Sequence, residues 1–286
     1  MRLQFLVSTV NEEVETLAQR MNLQADAIVV NQCDRNEYRE YTHEGHRIRC
    51  YSFAERGVGL SRNNCLMRAD EELCLFADED IVYRPGAAKA VIAEFEKNPD
   101  ADMILFNVDV PRERRTYHID GYGRVRWYNC GRYPTFSFAA RTEKLHEAGV
   151  TFSLLFGGGA KYSNGEDSLF LAECIRKGLK VYKAPVTIGR ENGRPSTWFH
   201  GYNEKFFYDR GVLYRFLYGW AAFPMAVRFL LKNRTEMFER PQRGEEPESI
   251  PAGAAVDAPG KREEFGTGLS MGQAFSLMRK GIRMKE

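Results

Sequence analysis

The stretch ELCLFADED, residues 72–80, is an apolar segment of strand length that ends in three acidic residues, and VYRPG follows it at 82–86. This pattern is typical of a buried β-strand that leads into a turn. In open α/β sheets, ligands bind at the carboxyl ends of strands, so Asp78 and Asp80 are expected at the mouth of a sheet. Two carboxylates one residue apart offer hard oxygen ligands for Mg²⁺ or Mn²⁺. A solvated acidic turn is the common explanation of an isolated Asp-x-Asp, and the motifs described below favour a site.

Strand and helix patterns alternate on both sides of this stretch. The sequence predicts strands at 3–7, 27–30, 48–51, 103–106, 137–140 and 179–186, and helices at 12–21, 62–68, 86–97, 142–148 and from 165 onward. This alternation implies βαβ units and a largely parallel sheet with right-handed crossovers. Residues 112–133 are charged and aromatic, and we expect hairpins or a mobile insert there.

Composition sets the broad class of protein. The chain has 286 residues, of which 43% are hydrophobic and 28% charged, and its formal charge of +2 gives no case for a nucleic-acid binder. Its six cysteines lack CxxC spacing, which favours buried reduced thiols in a cytosolic protein over a disulfide framework or a zinc site. The apolar run at residues 3–7 is too short for a secretory signal.

A run of three glycines, Gly157, Gly158 and Gly159, has two explanations. It is a flexible loop, or it lets the backbone approach a ligand closely, because glycine has no Cβ. No GK[ST] follows the run, and no GxGxxG opens the first strand-to-helix turn. The sequence therefore speaks against P-loop hydrolysis and nicotinamide chemistry.

Glu166 and Asp167 follow Gly165 at the start of an amphipathic helix. Acids at a helix N-terminus act as caps and dipole partners worth about 0.3–1 kcal/mol, and a carboxylate on a rigid helix start is also a suitable general base for an alcohol. His200 lies close to Trp198 in an aromatic segment. Such a histidine is commonly a packed residue, although it could also bind a divalent metal.

The ordered set of motifs resembles a known family. Thr9, the strand end at Asp34, residues 59–63, the acidic triplet, the glycine loop, residues 165–167 and a downstream histidine occur in this order. Together they resemble the GT-A fold nucleotide-sugar glycosyltransferases of family 2, over about residues 1–210. The chain is most similar to the bacterial capsular or exopolysaccharide members. The resemblance implies inverting, metal-dependent transfer from a UDP-linked sugar to a hydroxyl of a glycan or lipid-linked glycan acceptor.

The resemblance also implies individual roles. The nucleotide sugar would be bound by Thr9, Asn11, Asp34, Arg62, Asp78 and Glu79. Within this set, Asp34 would take the base edge, Arg62 the base or diphosphate, and Asp78 the ribose. Mn²⁺ or Mg²⁺ would be held by Asp80 and His200. The acceptor side would be lined by Gly157, Gly158, Gly159 and Trp198, and Asp167 would be the catalytic base with Glu166 beside it. Asn31 stands where some relatives have an acid.

The C-terminal part leaves several alternatives open. The apolar segment 212–231 could span a membrane, lie on its surface or pack on the catalytic domain. We expect a helical segment at 211–239, a disordered linker at 240–265 and a basic amphipathic helix at 266–286. That helix could contact an anionic membrane surface or pack on its own domain, so the expected location is cytoplasmic and peripheral on the inner face of the cell membrane.

Two rival functions share this fold. A sugar nucleotidylyltransferase would need a glycine-rich pyrophosphate loop directly after the first strand, and Ser8-Thr9-Val10-Asn11 is not one. A non-catalytic sugar- or nucleotide-binding module is the other rival. The presence of Asp80 and Asp167 speaks against it, and only a turnover measurement decides.

Overall fold

A computed structural model describes residues 1–110, 115–192, 201–238 and 267–284 of the chain. The chain divides into two compact units, Met1–Ser196 and Thr197–Glu286. The predicted end of the catalytic domain, residue 210, lies inside a helix of the second unit. The expected linker at 240–265 falls outside the described residues.

The first unit alternates strands and helices as the sequence predicts. Its elements are β1 (Leu3–Val10), α1 (Val14–Met21), β2 (Asp26–Gln32), β3 (Glu37–His43), β4 (His46–Phe53), α2 (Val58–Arg68), β5 (Leu73–Asp78), β6 (Ile81–Tyr83), α3 (Ala87–Lys97), β7 (Met103–Asp109), β8 (Gly123–Arg124), β9 (Phe138–Arg141), α4 (Thr142–Ala148), α5 (Glu166–Arg176) and β10 (Val181–Glu191).

These strands form one sheet in the order β3-β4-β2-β1-β5-β9-β7-β10-β6, with β8 paired to β10. The strands β4, β2, β1 and β5 run parallel, which confirms the predicted βαβ units. The strand β9 runs antiparallel between β5 and β7. The carboxyl ends of the four parallel strands therefore meet at one edge, where the acidic tip of β5 lies.

Both faces of the central strands are covered, as expected of parallel strands flanked by helices. On one face, Phe5 and Val7 of β1 belong to the main core cluster together with Leu17 of α1. Aromatic rings pack elsewhere in the unit, where Phe152 stacks on Phe170 of α5 with ring centroids 4.0 Å apart. Phe76 of β5 meets both rings edge-on. This aromatic cluster fixes the start of α5 near the end of β5.

The edge strand β3 was not predicted from the sequence. It reads EYREYTH and pairs antiparallel with β4, where the guanidinium of Arg47 binds the carboxylate of Glu40 at 2.8 Å. An edge strand with mostly exposed or half-buried residues carries no alternation of apolar and polar side chains, and that alternation is the signal a strand prediction uses.

The described part of the insert is tied to β7. The side chain of Asn107 donates to the carbonyl of Ile119 and accepts from its amide, both at 3.0 Å. The hydroxyl of buried Tyr117 donates to the carbonyl of Phe106 at 2.9 Å. These bonds satisfy polar groups that would otherwise be buried without partners.

The second unit is helical, as the sequence predicts. It contains α6 (Glu204–Tyr218), α7 (Ala222–Lys232), α8 (Arg234–Phe238) and α9 (Met271–Ile282). The helices α6 and α9 cross at glycines: a Cβ at Gly211 would lie 2.1 Å from the carbonyl oxygen of Met278, and a Cβ at Gly281 would lie 2.2 Å from that of Tyr208. The basic helix expected near the C-terminus is α9, which Ser270 and Gln273 begin with a capping box.

The apolar segment 212–231 does not form a continuous helix. The helix α6 ends at Tyr218, Gly219 follows with a φ of 52°, and α7 begins at Ala222. Across the ranges that the structure describes, no helix is both long enough and apolar enough to cross a membrane.

Candidate active site

The guanidinium of Arg62 binds three carboxylates from two parts of the chain, the end of β5 and the start of α5. Its Nη1 lies 3.0 Å from Glu166 and 2.9 Å from Asp167, and its Nη2 lies 3.1 Å from Asp78. The Arg62 side chain is only 6% exposed. Burial by itself lowers the pKa of Arg62, and the nearby charges of Asp78, Asp167 and Glu166 outweigh burial and raise it. Arg62 is therefore a fixed positive charge at the centre of this cluster.

The fold explains why these residues meet. Asp78 ends β5, Arg62 lies on α2, and Glu166 and Asp167 form the first turn of α5. The helix α2 packs against β1 and β2, and β1 is the neighbour of β5 in the sheet. Candidate residues that lie 104 positions apart in sequence, such as Arg62 and Glu166, thus come into direct contact at the carboxyl edge of the parallel strands.

Asp167, the expected base, is held by two donors. Arg62 donates to its Oδ1 at 2.9 Å, and the hydroxyl of buried Thr135 donates to the same oxygen at 2.5 Å. Within the described residues, Oδ2 makes no hydrogen bond, and the side chain is 26% exposed. Asp167 therefore has a fixed orientation, and its side chain stays partly exposed. Thr135 was not found from the sequence, because a single threonine in a loop carries no spacing signal.

Glu166 is buried beside this base. Burial raises the pKa of Glu166 well above its usual range, the charge of Asp167 adds to the rise, and the charge of Arg62 opposes it. Because burial outweighs the ion pair with Arg62, Glu166 holds its proton more tightly than an exposed glutamate does. The carboxyl of Glu166 also accepts a hydrogen bond from the amide of Gly165 at 3.1 Å.

The glycine loop packs against α2 and Glu166. The carbonyl of Gly158 accepts from the amide of Val58 at 2.9 Å, so the loop covers the N-terminus of α2. A Cβ at Gly157 would lie 2.7 Å from Glu166 Cδ, and Gly157 has a φ of 101°, in the region that favours glycine. A Cβ at Gly159 would lie 3.3 Å from the backbone of Gly57. The loop thus needs glycines for close packing, and its acceptor role stays a prediction.

The ends of β1 and β2 lie close together. Asn11 has a left-handed backbone with a φ of 53°, and its amide donates to the carbonyl of Gln32 at 3.1 Å. Arg56 connects the two ends, because it donates to the carbonyl of Cys33 at 2.9 Å and to the side chain of Asn11 at 3.3 Å. Arg56 was not predicted from the sequence. Asp34 is exposed beside Arg35, at 3.5 Å.

Two other residues at these strand ends are buried. Thr9 is 1% exposed, and its hydroxyl has no hydrogen-bond partner among the described residues. Asn31, at the position where some relatives have an acid, donates from its side chain to the carbonyl of Glu12 at 3.0 Å and so has a structural role. The predicted nucleotide roles of Thr9, Asn11, Asp34 and Arg62 stay predictions.

The acidic triplet concentrates negative charge at the tip of β5. Burial raises the pKa of Glu79 to about 7, and the charges of Asp78 and Asp80 add to this rise. The backbone carbonyl of Asp80 accepts from the amide of Asn192 at 2.7 Å, which fixes the end of the triplet. An excess of carboxylates over cations is an environment that a divalent cation relieves.

The donor set at this tip fits Mg²⁺ or Mn²⁺. Such ions need only one or two protein carboxylates, since water and substrate phosphates complete the shell. Asp80 and Asp78 supply that chemistry. A metal site made of protein side chains alone would appear as a group of at least three His, Cys, Asp or Glu residues. The described ranges contain no such group. His200, the expected further ligand, and Trp198 lie outside those ranges.

Comparison with known proteins identifies the family. Residues 7–156 match the model of Glycosyl transferase family 2. This match covers more than half of the chain, and the chain therefore belongs to glycosyl transferase family 2, as the ordered motifs predicted. No curated protein matches the sequence.

Solved structures confirm the fold. The structure of residues 1–349 of TarS from S. aureus in complex with UDP-GlcNAc superposes with a TM-score of 0.58 at 15% identity, covering 82% of this chain and 73% of that one. The longer S. aureus TarS structure gives a TM-score of 0.55 at 16% identity and covers 82% of this chain and 43% of that one. At these identities the likeness establishes the fold alone, and it confirms the predicted GT-A architecture of a central sheet flanked by helices.

Proposed function

We propose that this family 2 protein transfers a sugar from a UDP-linked donor to a hydroxyl of a glycan or lipid-linked glycan, with inversion and with a divalent metal, in surface polysaccharide synthesis. The observation that carries the proposal is the contact of Arg62 with Asp78 and Asp167. It brings the expected base to the acidic end of β5. The TarS structures were solved with UDP-GlcNAc and with UDP, which supports a uridine nucleotide as the donor carrier.

In the proposed reaction Asp167 is the general base. Its Oδ2 takes the proton of an acceptor hydroxyl while the hydroxyl oxygen forms a bond to the anomeric carbon of the donor. The bond from that carbon to the diphosphate oxygen breaks, and its electron pair leaves with the nucleotide. Attack from the side opposite the leaving group inverts the anomeric centre. Thr135 and Arg62 keep Asp167 in one orientation during this step.

Other residues of the chain would bind and orient the donor. Asp80, with Asp78 beside it, would hold Mn²⁺ or Mg²⁺, which neutralises charge developing on a departing diphosphate. Thr9, Asn11 and Asp34 would contact the nucleotide from the ends of β1 and β2. The buried hydroxyl of Thr9, which has no partner within the described residues, supports a ligand contact there.

A binding experiment tests the donor and the metal. Thermal unfolding of the wild type and of Asp80→Ala is measured with UDP, GDP and CDP, with and without Mn²⁺. A ligand at a hundred times its dissociation constant adds about 2.7 kcal/mol to the free energy of unfolding. We expect a Mn²⁺-dependent stabilisation of the wild type by UDP that is absent in Asp80→Ala. Equal stabilisation by UDP with and without Mn²⁺ would contradict metal dependence.

A turnover experiment tests the base. Asp167→Asn keeps the UDP-dependent stabilisation and lowers the release of UDP from UDP-GlcNAc by about 10²–10⁴-fold, the usual contribution of a general base. Asp120→Asn is the matched control, because Asp120 is 89% exposed in the same unit. Undiminished turnover by Asp167→Asn would remove this residue from the base role.

A further inference from the structure

The helical unit exposes a group of apolar side chains. Trp220 is 93% exposed, Leu231 58% and Val227 42%. Single exposed apolar residues are normal on a protein surface, whereas a contiguous set marks an interaction site. Val227 and Leu231 belong to a contiguous set, because they line a groove of about 190 Å³ together with other apolar residues and a glycine: Leu230, Met271, Gly272 and Phe275.

Helical spacing explains how this groove forms. On α7, Ala222, Ala226 and Leu230 are buried, while Val227 and Leu231, four residues apart, share an exposed face. On α9, Met271 and Phe275 are likewise four residues apart, and both line the groove. We call the exposed faces of α7 and α9, together with Trp220, the α7–α9 surface.

Basic side chains border the α7–α9 surface. Arg228 and Lys232 are exposed on α7, each directly after an apolar groove residue. On α9, exposed Arg279 lies four residues after Phe275 and so continues the same face. Residues 201–238 hold six Lys or Arg against three Asp or Glu, and residues 267–284 hold three Lys or Arg and no acid. An exposed apolar surface bordered by cations complements a partner that is apolar within and anionic at its boundary.

We propose that the α7–α9 surface binds an anionic lipid bilayer, with Trp220, Val227 and Leu231 at the boundary between headgroups and acyl chains. Interfacial helices bind in this way, with apolar side chains inserted and Lys or Arg near the lipid phosphates. Tryptophan favours this boundary because its ring is apolar and its N–H is polar. A second copy of the chain is the poorer partner, since self-association of this surface would bring like charges together.

The lipid proposal goes beyond glycosyl transfer and does not depend on it, because its test needs neither a donor nor an acceptor. The full-length protein is mixed with vesicles of phosphatidylcholine alone or of phosphatidylcholine and phosphatidylglycerol in equal parts, and the bound fraction is measured by flotation. We expect binding to the phosphatidylglycerol vesicles that weakens as salt is added, because salt screens the charges.

Two variants test the two parts of the surface. Arg228→Gln combined with Lys232→Gln lowers partitioning onto the anionic vesicles by about 25-fold, at about fivefold for each basic residue. Trp220→Ser lowers it by about tenfold, the value of burying a large apolar side chain. Both sites are exposed, so circular dichroism and thermal unfolding should be unchanged. The matched control is Lys89→Gln combined with Lys97→Gln, which removes two exposed charges from α3.

The outcomes separate the occupants of the surface. Reduced binding by both variants of the α7–α9 surface with normal binding by the control supports the proposal. Equal loss in the control overturns it, since net charge alone would then explain the binding. Absence of binding to anionic vesicles by the wild type also overturns it. If the wild type ignores vesicles but self-associates in light scattering, and Trp220→Ser restores the monomer, the occupant is a second copy.

Discussion

The Arg62 cluster of the first unit buries charged groups, whereas the α7–α9 surface of the second unit exposes apolar ones. Around Arg62, carboxylates that lie far apart in sequence share one guanidinium. On the α7–α9 surface, Trp220, Val227 and Leu231 are exposed, and so are the basic residues Arg228 and Lys232. A buried charge is tolerated only when the fold supplies its partner, while an exposed apolar group is tolerated when a partner comes from outside. The chain itself thus supplies the partners of the charges around Arg62, whereas we expect another molecule to cover the α7–α9 surface.

The largest expected effect comes from removing the centre of the charged cluster. Arg62→Met leaves Asp78, Glu166 and Asp167 without their shared cation, so we expect the free energy of unfolding to fall by about 3–5 kcal/mol. Chemical denaturation measures this change. Lys144→Met is the control, because Lys144 pairs with Glu147 at the surface and such pairs contribute about 0–1 kcal/mol. A similar decrease in the free energy of unfolding in both variants would show that the buried ion pairs contribute no more than a surface pair.

A smaller effect is expected at the loop that covers this cluster. The Cβ added by Gly157→Ala would meet Glu166 and Val58 at 2.7 Å, and the positive φ adds strain, so the loss is about 1–3 kcal/mol. Gly121→Ala is the matched control, because nothing lies within 4 Å of its added Cβ and Gly121 is exposed. Thermal unfolding compares the two. A neutral Gly157→Ala would mean that the loop moves away from Glu166 at little cost.

Two glycines of α9 differ in how closely other residues approach them. Gly281→Ala would push α9 away from the backbone of α6 and cost about 1–3 kcal/mol. Gly272→Ala meets nothing within 4 Å and gains up to about 1 kcal/mol from helix propensity. In chemical denaturation we expect the free energy of unfolding to fall in Gly281→Ala and to rise in Gly272→Ala. A change of the same sign in both variants would indicate that α6 and α9 do not pack through their glycines in solution.

The last expected effect is a pH dependence. Because the pKa of Glu166 is raised in the folded protein, the folded state holds a proton that the unfolded state has already released. The free energy of unfolding therefore decreases as the pH rises from the unfolded pKa through the folded one. Arg62 of α2 and Asp167 are the charged groups that face Glu166, and both remain in Glu166→Gln. Denaturation at several pH values should show a weaker decrease in Glu166→Gln, and an identical decrease would contradict the assignment.

The sequence predicted most elements of the first unit because their signals are local. The apolar run before Asp78 became β5, and the amphipathic pattern after Gly165 became α5. The exposed edge strand β3 was missed, since a strand without a buried face has no apolar periodicity. The bonds that hold residues 115–119 to β7 were missed as well, because they join side chains and backbone over about a dozen positions without any composition signal.

The candidate site was predicted only as separate residues. The motifs named each member of the cluster: Arg62, Asp78, Glu166 and Asp167. The family resemblance implied that Arg62 binds the nucleotide, and its contacts with the three acids were not predicted. Thr135 and Arg56 were not found, because neither belongs to a motif and their partners lie 32 and 45 positions away. The nucleotide, metal and acceptor roles remain predictions that the proposed experiments test.

The sequence by itself determined most of the strands and helices, the acidic tip of β5, the acids that begin α5 and the basic C-terminal helix, because periodicity and caps act over a few residues. The tertiary structure decided which of these charges are neighbours, which carboxyl group keeps its proton and which apolar side chains stay exposed. Those properties depend on burial and on distances between remote segments, and no local pattern encodes them.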